Sequence, residues 1–287
     1  MAIDYEQLKS KQFPDVVQAH TAKDCILYAL GLGLGADPLD EDQLHFVYED
    51  GLRVLPTMPV VLGSPGFWIK NEPTGIDWKA VLHGEQGLTI HRLPATEGKL
   101  VSRLRIEEIV DKGPGKGALI YSVRELRDQA SGELLASLSS TSFCRADGGF
   151  GGPSGPTRAP HPLPERAPDL VCDLPTLPQA ALIYRLSGDY NPLHADPAVA
   201  AAVGFKQPIL HGLCTYGVAG RALLKMLCGY DPARLRRMDL RFSAPVYPGE
   251  TIRTEIWRDA PGRASFRARA VERDLVVLNN GLAEYLA

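Results

Sequence analysis

Hydrophobic and polar residues alternate along several segments of the chain, as they do in antiparallel strands with one buried and one wet face. The pattern predicts strands at residues 100–106, 118–127, 133–145, 252–256 and 266–270. Two short segments, 128–132 and 259–262, place glycine and other turn residues between neighbouring strands, and they predict hairpins. The chain is therefore expected to be rich in antiparallel sheet.

A helical pattern dominates one segment of the second half, residues 211–227, and Gly229 is placed to end it. Small residues such as Gly217 and Gly220 would let this helix approach a sheet closely. A long helix wrapped by an antiparallel sheet is the arrangement called the hot-dog fold. In the first half Pro65 interrupts the corresponding segment, so we expect that half to keep its sheet and lose most of its helix.

A segment rich in glycine and proline divides the chain. Residues 148–168 hold five Gly and six Pro, which exclude a helix or a central strand and predict an extended linker. The flanking halves, 1–147 and 169–287, carry similar segments in the same order, among them helices predicted at 21–31 and 177–188. We therefore predict a double hot-dog protein of the α+β class, with two antiparallel sheets that each pack on a helix.

Composition and charge exclude several kinds of partner. The 287 residues include 31 Lys+Arg and 34 Asp+Glu, and the net charge of -3 gives no reason to expect nucleic acid or an anionic membrane surface. No apolar run reaches the ~18 residues of a membrane span, and the amino terminus lacks a secretory pattern. The five cysteines form no CxxC pair, so we expect no zinc site, no disulfides and a cytoplasmic location.

The densest group of polar residues is Ser-Gly-Asp-Tyr-Asn-Pro-Leu-His at 187–194. Gly, Asp, Asn and Pro are turn residues, so a plain connection between two helices is one interpretation. The alternative is chemical, because Asp189 and His194 lie five positions apart across a proline-fixed turn and can converge as a proton-transferring pair. Metal binding by this pair and Asn191 lacks a second group of ligands.

The strings YRLSGDYNPLH and FKQPILHGLCTYG, at 184–194 and 205–217, carry a family resemblance. They resemble the (R)-specific 2-enoyl-CoA hydratases, the hydratase 2 branch of the MaoC-like dehydratases. The first half, through segments 82–86, 110–113 and 150–152, is similar to the amino-terminal domain of the eukaryotic two-domain hydratase 2. The resemblance covers nearly the whole chain, which looks like a stand-alone version without an attached dehydrogenase or sterol-carrier domain.

The resemblance implies hydration of a trans-2-enoyl-CoA to an (R)-3-hydroxyacyl-CoA, without a cofactor, by a homodimer. Asp189 and His194 would hold the water, with the roles of acid and base left open. Asn191 would orient the loop, and the backbone N–H of Gly212 would stabilise the thioester oxygen. The residues that the family would place at the acyl-CoA are His83, Gly84, Lys112, Tyr190 and Phe242.

Other interpretations stay open at this point. Without the resemblance, Lys112 belongs to a solvated glycine-rich turn, and Phe242 fits a core position equally well. The fold also hosts thioesterases and dehydratases, and a non-catalytic acyl-CoA-binding protein is a further alternative. In the first half the position of Asp189 falls near 33–37, and no His follows it. We expect it to be catalytically inactive, with a groove in place of its helix for a medium, long or bulky acyl chain.

Overall fold

The computed structural model describes residues 2–287. Ten strands form one antiparallel sheet in the order β1-β3-β4-β5-β2-β7-β10-β9-β8-β6. The strands are β1 Val16–His20, β2 Val81–Ile90, β3 Gly98–Asp111, β4 Ala118–Asp128, β5 Leu134–Cys144, β6 Leu170–Pro175, β7 Leu235–Phe242, β8 Thr251–Ala260, β9 Arg263–Ala270 and β10 Leu275–Tyr285. The helices are α1 Tyr5–Lys9, α2 Ala22–Gly31, α3 Glu41–Leu44, α4 Trp68–Asn71, α5 Ala180–Tyr184, α6 Pro197–Ala202 and α7 Gly212–Cys228.

The two halves of the chain meet where β2 of the first half pairs with β7 of the second. Residues 85–89 lie opposite 237–241 in antiparallel register. The two sheets expected from the sequence are therefore halves of one continuous sheet, because this pairing satisfies two strand edges at once. The α+β class and the double hot-dog arrangement are confirmed.

Helix α7 packs on one face of the sheet, against β6, β7, β8 and β10, and nearly all of it is buried. It ends at Gly229, as predicted, in the left-handed conformation with φ +57°. Added Cβ atoms at Gly217 and Gly220 would lie 2.6 Å from Leu32 and 2.4 Å from Thr57 of the first half. The two glycines therefore let the first half pack directly on the helix.

The shorter helices match the sequence pattern with one exception. Helix α2 begins with the capping box of Thr21 and Asp24. The first half has only the four-residue α4 where α7 would correspond, in agreement with the interruption at Pro65. The helix predicted at 177–188 is shorter, since α5 covers only Ala180–Tyr184 before a 3-10 turn, and Pro178 precedes it.

The linker at 148–168 contains no helix or strand and crosses the outer face of the sheet, opposite α7. The Arg158 guanidinium lies 4.5 Å from the ring centroid of Tyr121 on β4. Further along, His161 Nε2 is 2.8 Å from Ser265 Oγ, and its carbonyl accepts from Asn280 at 2.8 Å. The linker thus contacts both halves. The division into domains at 147 and 169 stays a prediction.

Among residues 2–287, none of the helices combines the length and hydropathy that a membrane crossing requires.

Candidate active site where the two halves meet

The loop after α5 carries Asp189 and is held by local turns. The 3-10 turn Arg185–Ser187 ends at Gly188, whose φ of +117° suits glycine. Asp189 is exposed, and its Oδ1 accepts a hydrogen bond from the Asn191 backbone N–H at 3.1 Å. The Asn191 side chain in turn accepts from the N–H two residues further on and caps the turn Pro192–His194. Asn191 thus fixes the loop, and its contact with the carboxylate is through its backbone.

His194 is buried, and one hydrogen bond determines its tautomer. Its Nδ1 lies 2.8 Å from the carbonyl oxygen of Ile209. A carbonyl only accepts, so Nδ1 carries the proton and Nε2 keeps a free lone pair. Burial lowers the pKa of His194, so the ring is neutral at pH 7. The ring is therefore prepared to accept a proton at Nε2.

A second imidazole, His211, packs against the first. The ring centroids of His194 and His211 are 3.8 Å apart, and the rings are inclined by 27°. His211 Nε2 donates to the backbone carbonyl of Asp189 at 3.1 Å. Burial, together with the neighbouring His194, lowers the pKa of His211 to about 4. The sequence analysis did not include His211 among the site residues, because its partners lie 17 and 22 positions away.

Asp189, His194 and His211 bring one possible metal-binding atom each within 4.8 Å of one another. Their arrangement does not fit a metal centre, however. Each imidazole uses one nitrogen to donate to a carbonyl. Lone pairs lie in the ring planes, so two stacked rings do not direct them to one point. The cluster is better suited to holding a small polar molecule between the Asp189 carboxylate and His194 Nε2.

Two residues from the paired strands line the same cluster. His83 near the start of β2 and Phe242 at the end of β7 have ring centroids 4.7 Å apart. Desolvation by the surrounding protein lowers the pKa of His83, and the nearby Asp189 carboxylate opposes this shift only in part. The residue is nevertheless partly accessible to solvent. Both halves of the chain therefore contribute side chains to one site.

Gly212 is the first residue of α7 and lies against Phe242. An added Cβ would be 3.2 Å from the Phe242 ring. The first N–H groups of a helix have no partner within it, and the helix dipole favours negative charge there. The carbonyl of His211, the residue before Gly212, accepts from the N–H groups of Cys214 and Thr215, which fixes the first turn. The N–H of Gly212 is thus a rigid donor at the edge of the cluster.

The other predicted substrate residues lie around this centre. Gly84 occupies an irregularity in β2, where an added Cβ would lie 3.2 Å from a backbone carbonyl. Tyr190 is exposed beneath the Arg185 guanidinium, at 5.0 Å. Lys112 is exposed, and its Nζ lies 5.0 Å from the ring centroid of Phe143 on β5. Phe143 pairs with Leu82, the residue before His83. Lys112 therefore belongs to the rim and not to the central cluster.

The glycine-rich loop of Lys112 is anchored by a neighbour that the sequence analysis missed. Asp111 is buried, and its carboxylate accepts from the N–H groups of Gly113, Gly149 and Gly151 at 2.9, 2.6 and 2.8 Å. Burial acts to raise the pKa of Asp111, but these bonds outweigh it and lower the pKa. The only signal in the sequence was an acidic residue between a strand and two glycine-rich segments.

Two of the arginines of β7 are held in ion pairs. Arg237 pairs with Asp239 at 2.7 Å, and Arg241 pairs with Glu85 of the first half at 2.5 Å. The pair of Arg241 with Glu85 joins β7 to β2, whereas Arg237 and Asp239 both lie on β7.

Comparison with known proteins finds two family models that match the chain. A model of the MFE-2 hydratase 2 N-terminal domain matches residues 19–146, and a model of the MaoC like domain matches residues 160–280. The chain is also 42% identical to 3-hydroxyacyl-thioester dehydratase Y of Mycobacterium tuberculosis (strain ATCC 25618 / H37Rv), over 100% of both chains. The chain belongs to the MaoC-like hydratase 2 family. The resemblance seen in its motifs is confirmed.

Other members of the family support the same assignment. The peroxisomal enoyl-CoA hydratase 2 of Arabidopsis thaliana is 37% identical, over 94% of this chain and 92% of its own. The crystal structure of a MaoC-like dehydratase from Phytophthora Capsici superposes with a TM-score of 0.87 at 36% identity, covering 99% and 98% of the two chains. A Mycobacterium tuberculosis protein described as a double hotdog fold shares the fold alone, with a TM-score of 0.58 at 18% identity over 99% and 98%.

Proposed function

We propose that the chain catalyses the reversible hydration of trans-2-enoyl-CoA to (R)-3-hydroxyacyl-CoA. The observation that carries the proposal is the Asp189, His194 and His211 cluster, in which His194 Nε2 has a free lone pair beside a carboxylate. Family members named as enoyl-CoA hydratase 2 support the reaction and its stereochemistry. Water addition transfers no electrons between molecules, so the reaction requires no redox cofactor, and CoA enters as part of the substrate.

In the proposed mechanism a water molecule lies between the Asp189 carboxylate and His194 Nε2. His194 has no proton at Nε2, so it begins hydration as the proton acceptor. The water oxygen bonds to C3, its proton passes to the pair, and C2 receives a proton from the pair. Both residues then regain their starting state. Each positioned proton transfer contributes a factor of about 10²–10⁴ to the rate.

Negative charge develops on the thioester oxygen as the water adds. We assign the stabilising donor to the backbone N–H of Gly212, at the amino terminus of α7. A donor of this kind is worth about 2.7–4 kcal/mol in the transition state. His83, Gly84, Tyr190 and Phe242 would contact the acyl thioester, and Lys112 at the rim would meet the CoA moiety.

Asp189→Asn tests the proposed pair. The amide is nearly isosteric but accepts no proton, so we expect kcat to fall ~10²- to 10⁴-fold. The measurement is the loss of enoyl-thioester absorbance with trans-2-decenoyl-CoA, with the product identified by an (R)-specific 3-hydroxyacyl-CoA dehydrogenase. Asp196→Asn is the matched control, since this nearby exposed carboxylate caps α6 and should leave kcat unchanged.

Binding separates loss of chemistry from loss of the site. Calorimetric titration with an (R)-3-hydroxydecanoyl-CoA should give similar affinities for the parent protein and Asp189→Asn. If the parent protein binds this ligand and turns over no enoyl-CoA of any chain length, the non-catalytic binding alternative replaces the proposal. Release of free CoA thiol would instead indicate a thioesterase.

A medium, long or bulky acyl chain is the proposed cargo. In the part of the chain that the structure describes, the first half has no long helix against its sheet, and this supports a groove beside the site. We expect a higher kcat/KM for a C10 enoyl-CoA than for the C4 compound. A strong preference for C4 would contradict the groove.

The opposite direction, dehydration, is a second candidate for the physiological role. The Mycobacterium tuberculosis relative with 42% identity is named as a dehydratase of 3-hydroxyacyl thioesters. An enzyme accelerates both directions equally, so assays started from either side should reach the same mixture. The relative amounts of substrate and product in the cell then decide the direction.

We further propose a homodimer located in the cytoplasm. The edge strands β1 and β6 leave backbone groups unpaired within residues 2–287, which supports association with a second copy. Light scattering after size-exclusion chromatography measures the mass in solution. Because the Arabidopsis relative is named as peroxisomal, imaging of the tagged protein tests its location.

A further inference from the structure

The first half of the sheet has an interrupted core on one of its faces. At one end Leu88, Leu126 and Leu138 belong to the main hydrophobic cluster around α7. At the other end Ile109 and Ile120 belong to a separate cluster with the amino-terminal segment. Between the two clusters the sheet presents polar side chains. The break lies next to the candidate active site.

The polar residues of this break share one face because they are strand partners. Gln86 on β2 pairs with Ser140 on β5, which pairs with Ser122 on β4. One step closer to the site, Ser142 on β5 pairs with His83. Directly paired residues of an antiparallel sheet project to the same side. We call Gln86, Ser122, Ser140 and Ser142 the serine trough.

The serine trough starts at the proposed catalytic cluster and leads away from it. His83 is its first neighbour and lies within the electrostatic reach of Asp189. Strands lie about 4.8 Å apart, so the distance from β2 across β5 to β4 is ~10 Å. A chain attached to C3 of a bound enoyl thioester could therefore extend along the trough.

The trough offers hydrogen bonds that are not fully used within the protein. Ser122 Oγ and Ser140 Oγ are 2.9 Å apart and bond to each other. Ser142 is half-buried, and its hydroxyl has no hydrogen-bond partner among residues 2–287. Gln86 is buried, donates to the carbonyl of Gly87 at 2.8 Å and bonds with the His83 side chain, so it joins the trough to the cluster. Hydroxyl groups facing an alkyl chain would lose their water without compensation.

We propose that the serine trough selects enoyl-CoA substrates whose acyl chain carries an oxygen substituent, such as a hydroxyl group, several carbons beyond the double bond. This inference rests on the proposed hydratase function and adds to it the class of acyl chain. A hydroxyl on the chain would replace the water lost by the serines with a hydrogen bond. An unsubstituted alkyl chain would not, so it should be the poorer substrate.

The test compares trans-2-decenoyl-CoA with its 6-, 8- and 10-hydroxy derivatives. We expect at least one derivative to have a kcat/KM ~3- to 10-fold above that of the plain chain, the worth of one hydrogen bond. Ser140→Ala and Ser142→Ala should lower this ratio towards one. Ser139→Ala is the matched control, because Ser139 lies on the opposite face of the same strand and should leave the ratio unchanged.

The outcomes separate this inference from the proposed function. Equal kcat/KM values for plain and hydroxylated chains, unaffected by the serine variants, would overturn the serine trough and leave the hydratase intact. If Ser140→Ala lowers kcat/KM by the same factor for every substrate, including trans-2-butenoyl-CoA, the trough holds the pantetheine arm. That result would also overturn the inference. No turnover of any enoyl-CoA by the parent protein would remove the proposed function itself.

Discussion

His211 supports both members of the proposed catalytic pair without being placed to transfer a proton. Its Nε2–H holds the backbone of Asp189, and its ring face holds the ring of His194. Protonation would place a charge inside the protein next to a second imidazole, and its pKa of about 4 keeps it neutral. We therefore regard His211 as a positioning residue, and its two contacts can be removed separately.

His211→Phe keeps a stacking ring and loses the donor, whereas His211→Gln keeps a donor and loses the ring. A small displacement of a reacting group can cost up to ~10² in rate. We expect His211→Phe to lower kcat ~10- to 100-fold with KM within about threefold, and His211→Gln to recover part of the loss. Steady-state kinetics and thermal unfolding together check this. A full kcat in His211→Phe would show that the donor does not position Asp189.

The lowered pKa of His194 predicts activity at mildly acid pH. Its neutral form accepts the proton, and an ordinary imidazole has a pKa of about 6.5. Because burial moves the pKa of His194 below its ordinary value, the pH at which kcat/KM has fallen to half should lie below 6.5. The profile is measured with trans-2-decenoyl-CoA from pH 8 to 5. If kcat/KM has already fallen by half at pH 6.5 or above, the environment assigned to His194 is wrong.

The same shifts predict how stability depends on pH. In the unfolded chain His194 and His211 bind protons below about pH 6.5, while in the folded chain they resist doing so. The unfolded state then holds more protons, so the free energy of unfolding should decrease as the pH falls from about 6.5 towards 4. Urea unfolding at a series of pH values measures this.

Much of the central pair was predictable from the sequence, and its surroundings were not. Asp189 and His194 lie in one short motif, and local turn residues fix their separation. His211 and the serine trough depend on contacts between segments distant in the chain, which leave no local pattern. Two arginines of β7 pair with carboxylates, one of them on β2, and no local pattern in the sequence predicted these pairs.

At the scale of elements, α7 is held between the sheet and the first half. Gly217 and Gly220 of this helix face Leu32 and Thr57 of the first half. The small residues of α7 therefore allow close contact with the first half as well as with the sheet. Arg221 of α7 adds a bond to the carbonyl of Leu32 at 3.0 Å and one to Gln43 at 2.9 Å. The helix that carries Gly212 is therefore stabilised by residues of both halves.

Gly220→Ala should destabilise the protein although alanine favours helices. The new Cβ would lie 2.4 Å from the Thr57 methyl group, and overpacking costs about 1–3 kcal/mol. Adding Thr57→Ser removes that methyl group, keeps the hydroxyl bonded to Tyr28, and should restore part of the loss. Gly98→Ala is the control, because its nearest atom would be 3.7 Å away. Urea unfolding gives the differences, and equal effects of the two alanines would contradict this packing.

Local elements followed their sequence signals, while long-range pairing did not. The helix predicted at 21–31, the hairpin at 128–132 and the glycine that ends α7 are each encoded within a few residues, and they form as predicted. The pairing of β2 with β7 joins segments such as Glu85 and Arg241, 156 positions apart, and no local pattern specifies it. For this reason two sheets were expected where one is observed.

At the scale of the whole molecule, the halves are joined by strand pairing, by α7 and by the linker. The linker contacts Tyr121 on one half and Ser265 on the other, but the pairing of β2 with β7 does not depend on it. The covalent connection therefore supports an interface that the sheet already provides.

Cleavage within the linker should leave an active complex. A protease site inserted between Ser154 and Gly155, where the chain is exposed, would divide the protein and keep the hydrogen bonds that join Gly151 and Pro153 to Asp111. We expect the two fragments to elute together in size-exclusion chromatography and to retain most of the turnover. Separation of the fragments under native conditions would show that the linker, rather than the paired strands, holds the halves together.

The contact of His83 with Phe242 across the two halves has a consequence for how this protein can change over evolutionary time. The reacting pair is built from the second half, whereas the serine trough is built from the first. Substitutions in the trough can therefore alter which cargo is accepted while leaving the hydration chemistry intact. A duplicated unit that no longer needs to react becomes free to specialise in recognition, and gene duplication followed by such a division of labour would let one reaction serve many acyl chains.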